Sequence, residues 1–140
     1  MSFVDSNIFL HAFLTPRREL TKEEQRVKDE SKAIVKIIED GEEVAMTTVH
    51  LSEVINIVES GLGLQRSLGF LAWVIEKDNI KVHPTAIEDY ETALTTAREK
   101  DISANDAIAY LSMKTHGSTE IYSFDKHFDQ FKDIIKLPSL

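Results

Sequence analysis

Short apolar segments alternate along this chain with longer segments of helical periodicity, and this alternation limits the possible folds more than any other feature. The short segments are Ser2-Phe3-Val4, Val44-Ala45-Met46, Ile80-Lys81-Val82, Ile121-Tyr122 and Ile134-Ile135. Each has the length and composition of a buried strand. Parallel strands need crossover connections, and helices supply them. The order predicts an α/β fold of three layers, with helices on both faces of a mostly parallel sheet of about five strands.

The segments between the strands carry start and stop signals for helices. Thr21 with Glu24, and Thr85 with Glu88, have the spacing of capping boxes. Three glycines are predicted to end helices, and they are Gly41, Gly61 and Gly117.

Apolar residues recur at intervals of three or four within the predicted helices, and we expect each set to face the core. The sets are Val27, Ser31, Ile34 and Ile38; Leu51, Val54, Ile55 and Val58; Leu64, Leu68, Leu71 and Val74; Ile87, Tyr90, Leu94 and Ala97; and Ala104, Ile108, Leu111 and Thr115. Because the aromatic residues fall mainly in such sets or at strand edges, they are interpreted as core residues and not as platforms for stacking bases.

Composition limits the classes of protein to which this chain can belong. A length of 140 residues with 42% hydrophobic residues predicts one domain spanning residues 1–140. The absence of cysteine excludes disulfides, cysteine-based zinc and iron–sulfur sites, and a cysteine nucleophile. With no long apolar run and no signal peptide pattern, we expect a cytoplasmic protein without a membrane partner. The net charge of −8 argues against a general attraction for nucleic acid.

Acidic residues follow the predicted strands. Asp5 ends the first strand, Glu53 lies early in the helix after the second, Asp106 begins the helix before the fourth, and Asp125 follows the fourth. Ligands of such sheets bind beyond the carboxyl ends of the strands. Carboxylates gathered there would raise one another's pKa and imply a bound cation. Oxygen ligands without cysteine or histidine select Mg²⁺ or Mn²⁺.

Each acid also has an ordinary structural interpretation. Asp5 could cap the following helix, Glu53 could lie on a solvated helix face, and Asp125 could stabilise a polar turn. Asp106 has capping-box spacing from Ser103. These separate interpretations do not explain why all of the acids fall at equivalent positions.

Four motifs together resemble a PIN domain, and most of all the VapC-type toxin ribonucleases of toxin–antitoxin pairs. They are Asp5-Ser6-Asn7, Glu53 in Leu-Ser-Glu-Val, Asn105-Asp106-Ala107-Ile108-Ala109, and Ser123-Phe124-Asp125. The resemblance covers essentially the whole chain.

The resemblance implies an Mg²⁺- or Mn²⁺-dependent ribonuclease, usually a homodimer and often held inactive by a small antitoxin protein. Its catalytic residues, which are also the metal ligands, would be Asp5, Glu53, Asp106 and Asp125. Asn7 and Ser123 match the supporting polar positions, and Asp129 is a substitute acid only. The segment from Leu64 to Val74 would permit a dimer.

For the chemistry, we expect one ion between Asp5 and Asp106 to activate the attacking water, and a second near Glu53 and Asp125 to stabilise the leaving oxygen. Two ions would reduce the net charge from −8 to −4. We therefore expect weak, metal-dependent binding of RNA.

The candidate substrate-binding cations are Lys126, Arg17 and Arg18; the arginines equally fit an exposed helix start with ion pairs. The five histidines, at positions 11, 50, 83, 116 and 127, show no ligand spacing and are interpreted as surface or helix-end residues.

Three other functions share features with an α/β chain of this kind. An RNA-processing PIN nuclease and a catalytically weak PIN-fold module for binding or dimerisation both stay open. A two-component receiver domain is disfavoured, because its first strand should end in a pair of acids and a central strand in a phosphoacceptor aspartate. Here the first strand ends in Asp5 alone and the third in His83-Pro84.

Overall fold

The strands form one parallel sheet in the computed structural model, which describes residues 1–138. They are β1 Ser2–Val4, β2 Val44–Thr47, β3 Ile80–His83, β4 Glu120–Tyr122 and β5 Ile135–Leu137. The five strands lie in the order β3-β2-β1-β4-β5, and every neighbouring pair is parallel. The last strand begins one residue later than predicted, because Ile134 is buried with Phe128 and Phe131 beneath the sheet.

Helices cover both faces of this sheet, so the predicted three-layer α/β architecture is confirmed. They are α1 Ser6–Phe13, α2 Lys22–Glu39, α3 Thr48–Leu62, α4 Leu64–Glu76, α5 Ile87–Lys100 and α6 Ala104–His116. A short 3-10 helix, Lys126–Gln130, follows β4. Within residues 1–138, none of the helices has both the length and the hydropathy that a membrane crossing requires.

Strand residues alternate between two apolar cores. Val4 contributes to a core with α1 to α4, whereas its neighbour Phe3 contributes to a core with α5 and α6. The same alternation separates Val44 from Ala45 on β2. This two-sided burial is the reason for the continuous apolar strand segments in the sequence.

The predicted helix signals are confirmed at some positions and wrong at others. The capping box at α2 is present, with the Thr21 hydroxyl and the Glu24 carboxylate each accepting a backbone N–H of the other residue. At α5 the predicted pair of Thr85 and Glu88 is wrong. The cap lies one residue later, where the backbone N–H of Ala86 donates to the Asp89 carboxylate.

Two of the predicted glycine stops are confirmed and one is wrong. Helix α2 ends just before Gly41, and Gly117 ends α6 with φ of 75°. The predicted stop at Gly61 is wrong, because α3 continues to Leu62 and ends at Gly63, whose φ is 94°.

The apolar sets predicted for α4 and α5 face the core only in part, because Val74 of α4 is buried whereas several other members are not. Leu64 and Leu68 of α4 and Ile87 and Leu94 of α5 are all exposed. Helix α4 buries Val74 together with Phe70. These two helices therefore present apolar side chains on the surface of the chain.

Candidate active site

Asp5 is held at the carboxyl end of β1, the central strand. Its backbone N–H donates to Tyr122 O on β4 at 2.9 Å. It stands at the N-cap position of α1, yet its carboxylate forms no cap hydrogen bond. That carboxylate accepts instead from Ser123 Oγ at 2.7 Å. The side chain is thus turned toward the sheet edge, and the helix-cap interpretation does not account for it.

The environment of Asp5 opposes its ionisation. Asp5 is only 5% exposed. Burial, followed by the negative charges of Asp106, Asp125 and Glu53, raises its pKa from 3.8 to about 7, although the Ser123 hydrogen bond lowers it. All three of the other predicted acids therefore lie close enough to act on Asp5.

Glu53 reaches this edge from α3 and is fixed by two donors. The Ser6 hydroxyl donates to Glu53 Oε1, and Asn105 Nδ2 donates to Glu53 Oε2 at 3.1 Å. The carboxylate is partly buried rather than solvated. Because Ser6 also lies within 3.5 Å of Asp5 Oδ1, this serine connects the two acids.

Asp106 and Asp125 meet at the other side of Asp5, with His127 between them. His127 Nδ1 lies 3.3 Å from Asp106 Oδ2 and 3.2 Å from Asp125 Oδ1. The ligand atoms of these residues all lie within 4.8 Å of one another. Burial and the Asp125 charge raise the pKa of Asp106. The hydrogen bond with Asp106 raises the pKa of His127, so a proton on this ring offsets part of the negative charge.

Local structure explains part of the placement of Asp106 and Asp125. Ser103 Oγ accepts from the backbone N–H of Asp106 at 3.1 Å, which caps α6 and leaves the Asp106 carboxylate free to face Asp125. Asp125 Oδ1 accepts from the N–H of His127 at 2.9 Å at the start of the 3-10 helix. The predicted polar turn therefore exists alongside the acidic cluster.

The two supporting residues have different surroundings. Ser123 is fully buried, donating to Asp5 and accepting from the N–H of Asp125 at 3.0 Å. Asn7 Oδ1 is buried and has no hydrogen-bond partner among residues 1–138. Ser123 thus joins the ends of β1 and β4, and Asn7 leaves one buried oxygen unpaired.

The acids do not fall into the two expected pairs. Asp125 lies beside Asp106, whereas Glu53 is attached to Ser6 and Asn105. The expected assignment of one ion to Asp5 and Asp106, and another to Glu53 and Asp125, therefore does not follow the observed grouping.

Of the candidate cations, only Lys126 adjoins the acidic cluster. It is exposed and follows Asp125 directly. Arg17 and Arg18 are carried by the loop between α1 and α2, where Arg18 pairs with Glu24 at 2.6 Å. Asp129 pairs with Lys136 at 2.9 Å, so its carboxylate has a partner of its own.

Sequence reasoning missed two histidines. His127 is exposed, as predicted, but it also contacts Asp106 and Asp125, and its position two residues after Asp125 is a signal for this role in the sequence. His50 is a helix-end residue in the first turn of α3, but it is not a surface residue, because it is 1% exposed. Burial lowers the pKa of His50 to about 4, so it is a neutral core residue beneath the site.

The sequence motifs and the edge they form match a known family. The family description "PIN domain" matches residues 2–134. The chain belongs to the PIN domain family. The predicted family is therefore confirmed over nearly the whole chain.

Solved structures share the fold of this PIN domain. The crystal structure of VapC20 from Mycobacterium tuberculosis, described as a toxin that cleaves the sarcin-ricin loop, is similar with a TM-score of 0.71 and 16% identity, over 96% of this chain and 98% of that one. A toxin–antitoxin complex from Klebsiella pneumoniae gives a TM-score of 0.66 and 16% identity over 96% of both chains. VapBC2 from Rickettsia felis, bound to a fragment of promoter DNA, gives a TM-score of 0.63 and 13% identity over 96% of both chains. A comparison with curated protein sequences gave no significant match.

Proposed function

We propose that this PIN domain is a divalent-metal-dependent ribonuclease that hydrolyses RNA phosphodiester bonds, and that it is the toxin of a toxin–antitoxin pair. The observation that carries the proposal is the gathering of acids at one sheet edge, where ligand atoms of Asp106, Asp125 and His127 lie within 4.8 Å of one another and Ser6 joins Glu53 to the buried Asp5. Membership of the PIN family and the fold shared with toxin structures support it.

The residues of the cluster fit Mg²⁺ or Mn²⁺. Their carboxylate oxygens are the ligands that hard cations prefer, and Asn7 Oδ1 is an unpaired oxygen among residues 1–138. Asp5, Glu53, Asp106 and Asp125 would hold the metal. When bound, a divalent ion supplies an activated water at neutral pH and neutralises charge that develops on the phosphate.

The protein's own groups hold these ligands in place. Ser123 fixes Asp5, and Ser6 with Asn105 fixes Glu53, so the carboxylates do not have to be ordered during the reaction. His127 and Lys126 place positive charge at the exposed side of the cluster, where an RNA phosphate would approach. Arg17 and Arg18 follow the other end of α1, a helix about 12 Å long that begins beside Asp5. They would therefore contact only a longer RNA.

Cleavage of a labelled RNA tests the proposal. We expect the wild type to cut single-stranded RNA in Mn²⁺ or Mg²⁺ and not in EDTA, and Asp106→Asn and Asp125→Asn to lose at least 100-fold in rate. Asp129→Asn is the matched control, because this exposed acid pairs with Lys136 outside the cluster. Full cleavage in EDTA or by Asp106→Asn would refute the mechanism. A folded wild type that cuts no RNA would indicate a binding or dimerisation module instead.

An apolar groove supports the antitoxin partner. It encloses about 730 Å³ between α1, α2, α3 and α4, with Phe13, Phe70 and Trp73 on its wall, and its charged lining residues are Lys32, Lys36, Arg66 and Glu39. An apolar segment that carries acidic residues would fit it. We expect the product of a small neighbouring gene to co-purify with the wild type and to bind Trp73→Ala at least tenfold more weakly. Equal binding to both proteins would exclude this groove.

The exposed leucines of α4 support a homodimer. Leu64 and Leu68 are 52% and 45% exposed, which is unusual for two neighbouring leucines of one helix face. Light scattering should give the mass of a dimer for the wild type and of a monomer for Leu68→Glu. A monomeric wild type would contradict the dimer.

A further inference from the structure

A second cavity opens directly beside the acidic cluster. It encloses about 520 Å³ and is lined by residues of α3, by Tyr90 of α5, and by Asn105 at the start of α6. Glu53 and Asn105 belong to both places, because Asn105 Nδ2 donates to Glu53 and the next residue is Asp106. The cavity therefore shares the Glu53 side of the acidic cluster.

The lining suits a neutral, flat group that forms hydrogen bonds. Asn56 and Ser52 bring an amide and a hydroxyl, and both side chains are exposed. The Asn56 amide takes part in none of the hydrogen bonds found within residues 1–138, so it is available to a ligand. The lining residues, all within the described part of the chain, include no lysine or arginine. A phosphate would thus find no counter-charge here and would be repelled by Glu53.

Tyr90 gives the cavity an aromatic wall. Its side chain is 41% exposed, and Ile57, 40% exposed, also lines the cavity. The interpretation of Tyr90 as a core residue is wrong, because α5 buries a face centred on Ala93 instead. An exposed ring next to an amide is the combination that binds unpaired bases, since the ring stacks on the base and the amide pairs with its edge. The volume lies within the range of roughly 300–1,000 Å³ usual for small-ligand pockets.

We propose that this cavity binds one unpaired RNA base next to the phosphate that is cut, with Tyr90 stacking on the base and Asn56 selecting among bases. The proposal rests on the proposed nuclease function, because it places the cut phosphate at the acidic cluster. Polar lining and direct continuity with Glu53 favour a nucleotide over a second copy of the chain.

Cleavage of an unstructured RNA that contains every dinucleotide step tests the base pocket. We expect the wild type in Mn²⁺ to cut the steps at unequal rates. Tyr90→Ala should lose at least tenfold in kcat/KM, whereas Tyr90→Phe retains the ring and most of the rate. Asn56→Ala should make the rates at different bases more nearly equal. Leu94→Ala is the control, because Leu94 is exposed on α5 and does not line the cavity.

Two further measurements separate this proposal from the nuclease proposal. Calorimetry should give the same Mn²⁺ affinity for Tyr90→Ala as for the wild type, and anisotropy should show weaker binding of labelled RNA. If the wild type cuts RNA and Tyr90→Ala cuts every dinucleotide step as fast as the wild type does, the base pocket is wrong and the nuclease proposal stands. If the wild type cuts nothing but binds RNA through Tyr90, the nuclease and the position of the pocket beside a cut phosphate are both wrong, and only the binding of a base at Tyr90 is supported. If Tyr90→Ala instead converts a dimer to a monomer, the cavity belongs to a self-association surface and the proposal is overturned.

Discussion

Replacing Asp5 by asparagine should stabilise the metal-free protein by about 4 kcal/mol at pH 8. The magnitude follows from a pKa of about 7 against the ordinary value of 3.8, at about 1.36 kcal/mol for each pKa unit. Between those two pKa values the folded protein retains a proton that the unfolded chain has released. The contribution of Asp5 to stability therefore falls as the pH rises from about 4 to about 7, and the asparagine variant does not have this electrostatic cost.

The assay is urea denaturation in EDTA at pH 5 and pH 8, for the wild type, Asp5→Asn and Asp129→Asn. Asparagine preserves the size of the side chain and an oxygen that can accept the hydrogen bond from Ser123. The difference between wild type and Asp5→Asn should be largest at pH 8 and much smaller at pH 5. Asp129→Asn should change the free energy of unfolding by less than about 1 kcal/mol, because the Asp129–Lys136 pair is an exposed ion pair.

Metal should reverse the order of stability. Mn²⁺ binds the folded wild type and raises its melting temperature, whereas Asp5→Asn has lost a ligand and should respond much less. A variant that is less stable than the wild type at pH 8 in EDTA, with an unchanged response to Mn²⁺, would refute the electrostatic reasoning about this cluster.

Three further outcomes follow from the same structure. Ser123→Ala removes the hydrogen bond to Asp5 and should weaken Mn²⁺ binding about tenfold by calorimetry; an unchanged affinity would deny Ser123 its supporting role. Because burial lowers the pKa of His50 from 6.5 to about 4, this histidine's contribution to stability should fall by about 3 kcal/mol as the pH falls through that window, opposite in sign to the Asp5 contribution, so in urea denaturation the free energy of unfolding of His50→Gln should decrease more steeply than that of the wild type as the pH rises from 4 to 6.5. Gly69→Ala, in an open position of α4, should raise stability by up to about 1 kcal/mol, whereas Gly63→Ala should lower it, since its φ is 94°. Equal melting temperatures for the two alanine variants would contradict the last prediction.

Alternation of strand and helix was enough to predict the layers of the fold, because a buried parallel sheet imposes both its apolar strands and its crossover helices on the sequence. The exposure of α4 and α5 was not predictable in the same way. Periodicity shows that Leu64 and Leu68 share a helix face, yet it does not show whether another element covers that face. On α5, the small residue Ala93 is the buried position, and small residues give a weak hydrophobic signal.

The position of the acids was predictable from the ends of the strands, whereas their grouping depends on strand order. Asp106 lies beside Asp125 because α6 begins next to the end of β4. The spacing of these residues in the sequence does not predict that contact. The role of Asn105 as a donor to Glu53 depends on the same long-range packing. The roles of these residues in catalysis and metal binding stay predictions until the variants are measured.

The place of β1 in the middle of the sheet has a consequence for the order of events during synthesis. β1 is formed by residues 2–4, and its neighbour β4 by residues 120–122. Domains are made at roughly 5–20 residues per second, and long-range strand pairs cannot form until both strands have emerged. Asp5 therefore cannot contact Ser123 or come close to Asp125 until nearly the whole chain has been made. A nascent or prematurely terminated product that lacks β4 would carry Asp5 without its partners, so the acidic cluster cannot assemble on an incomplete chain.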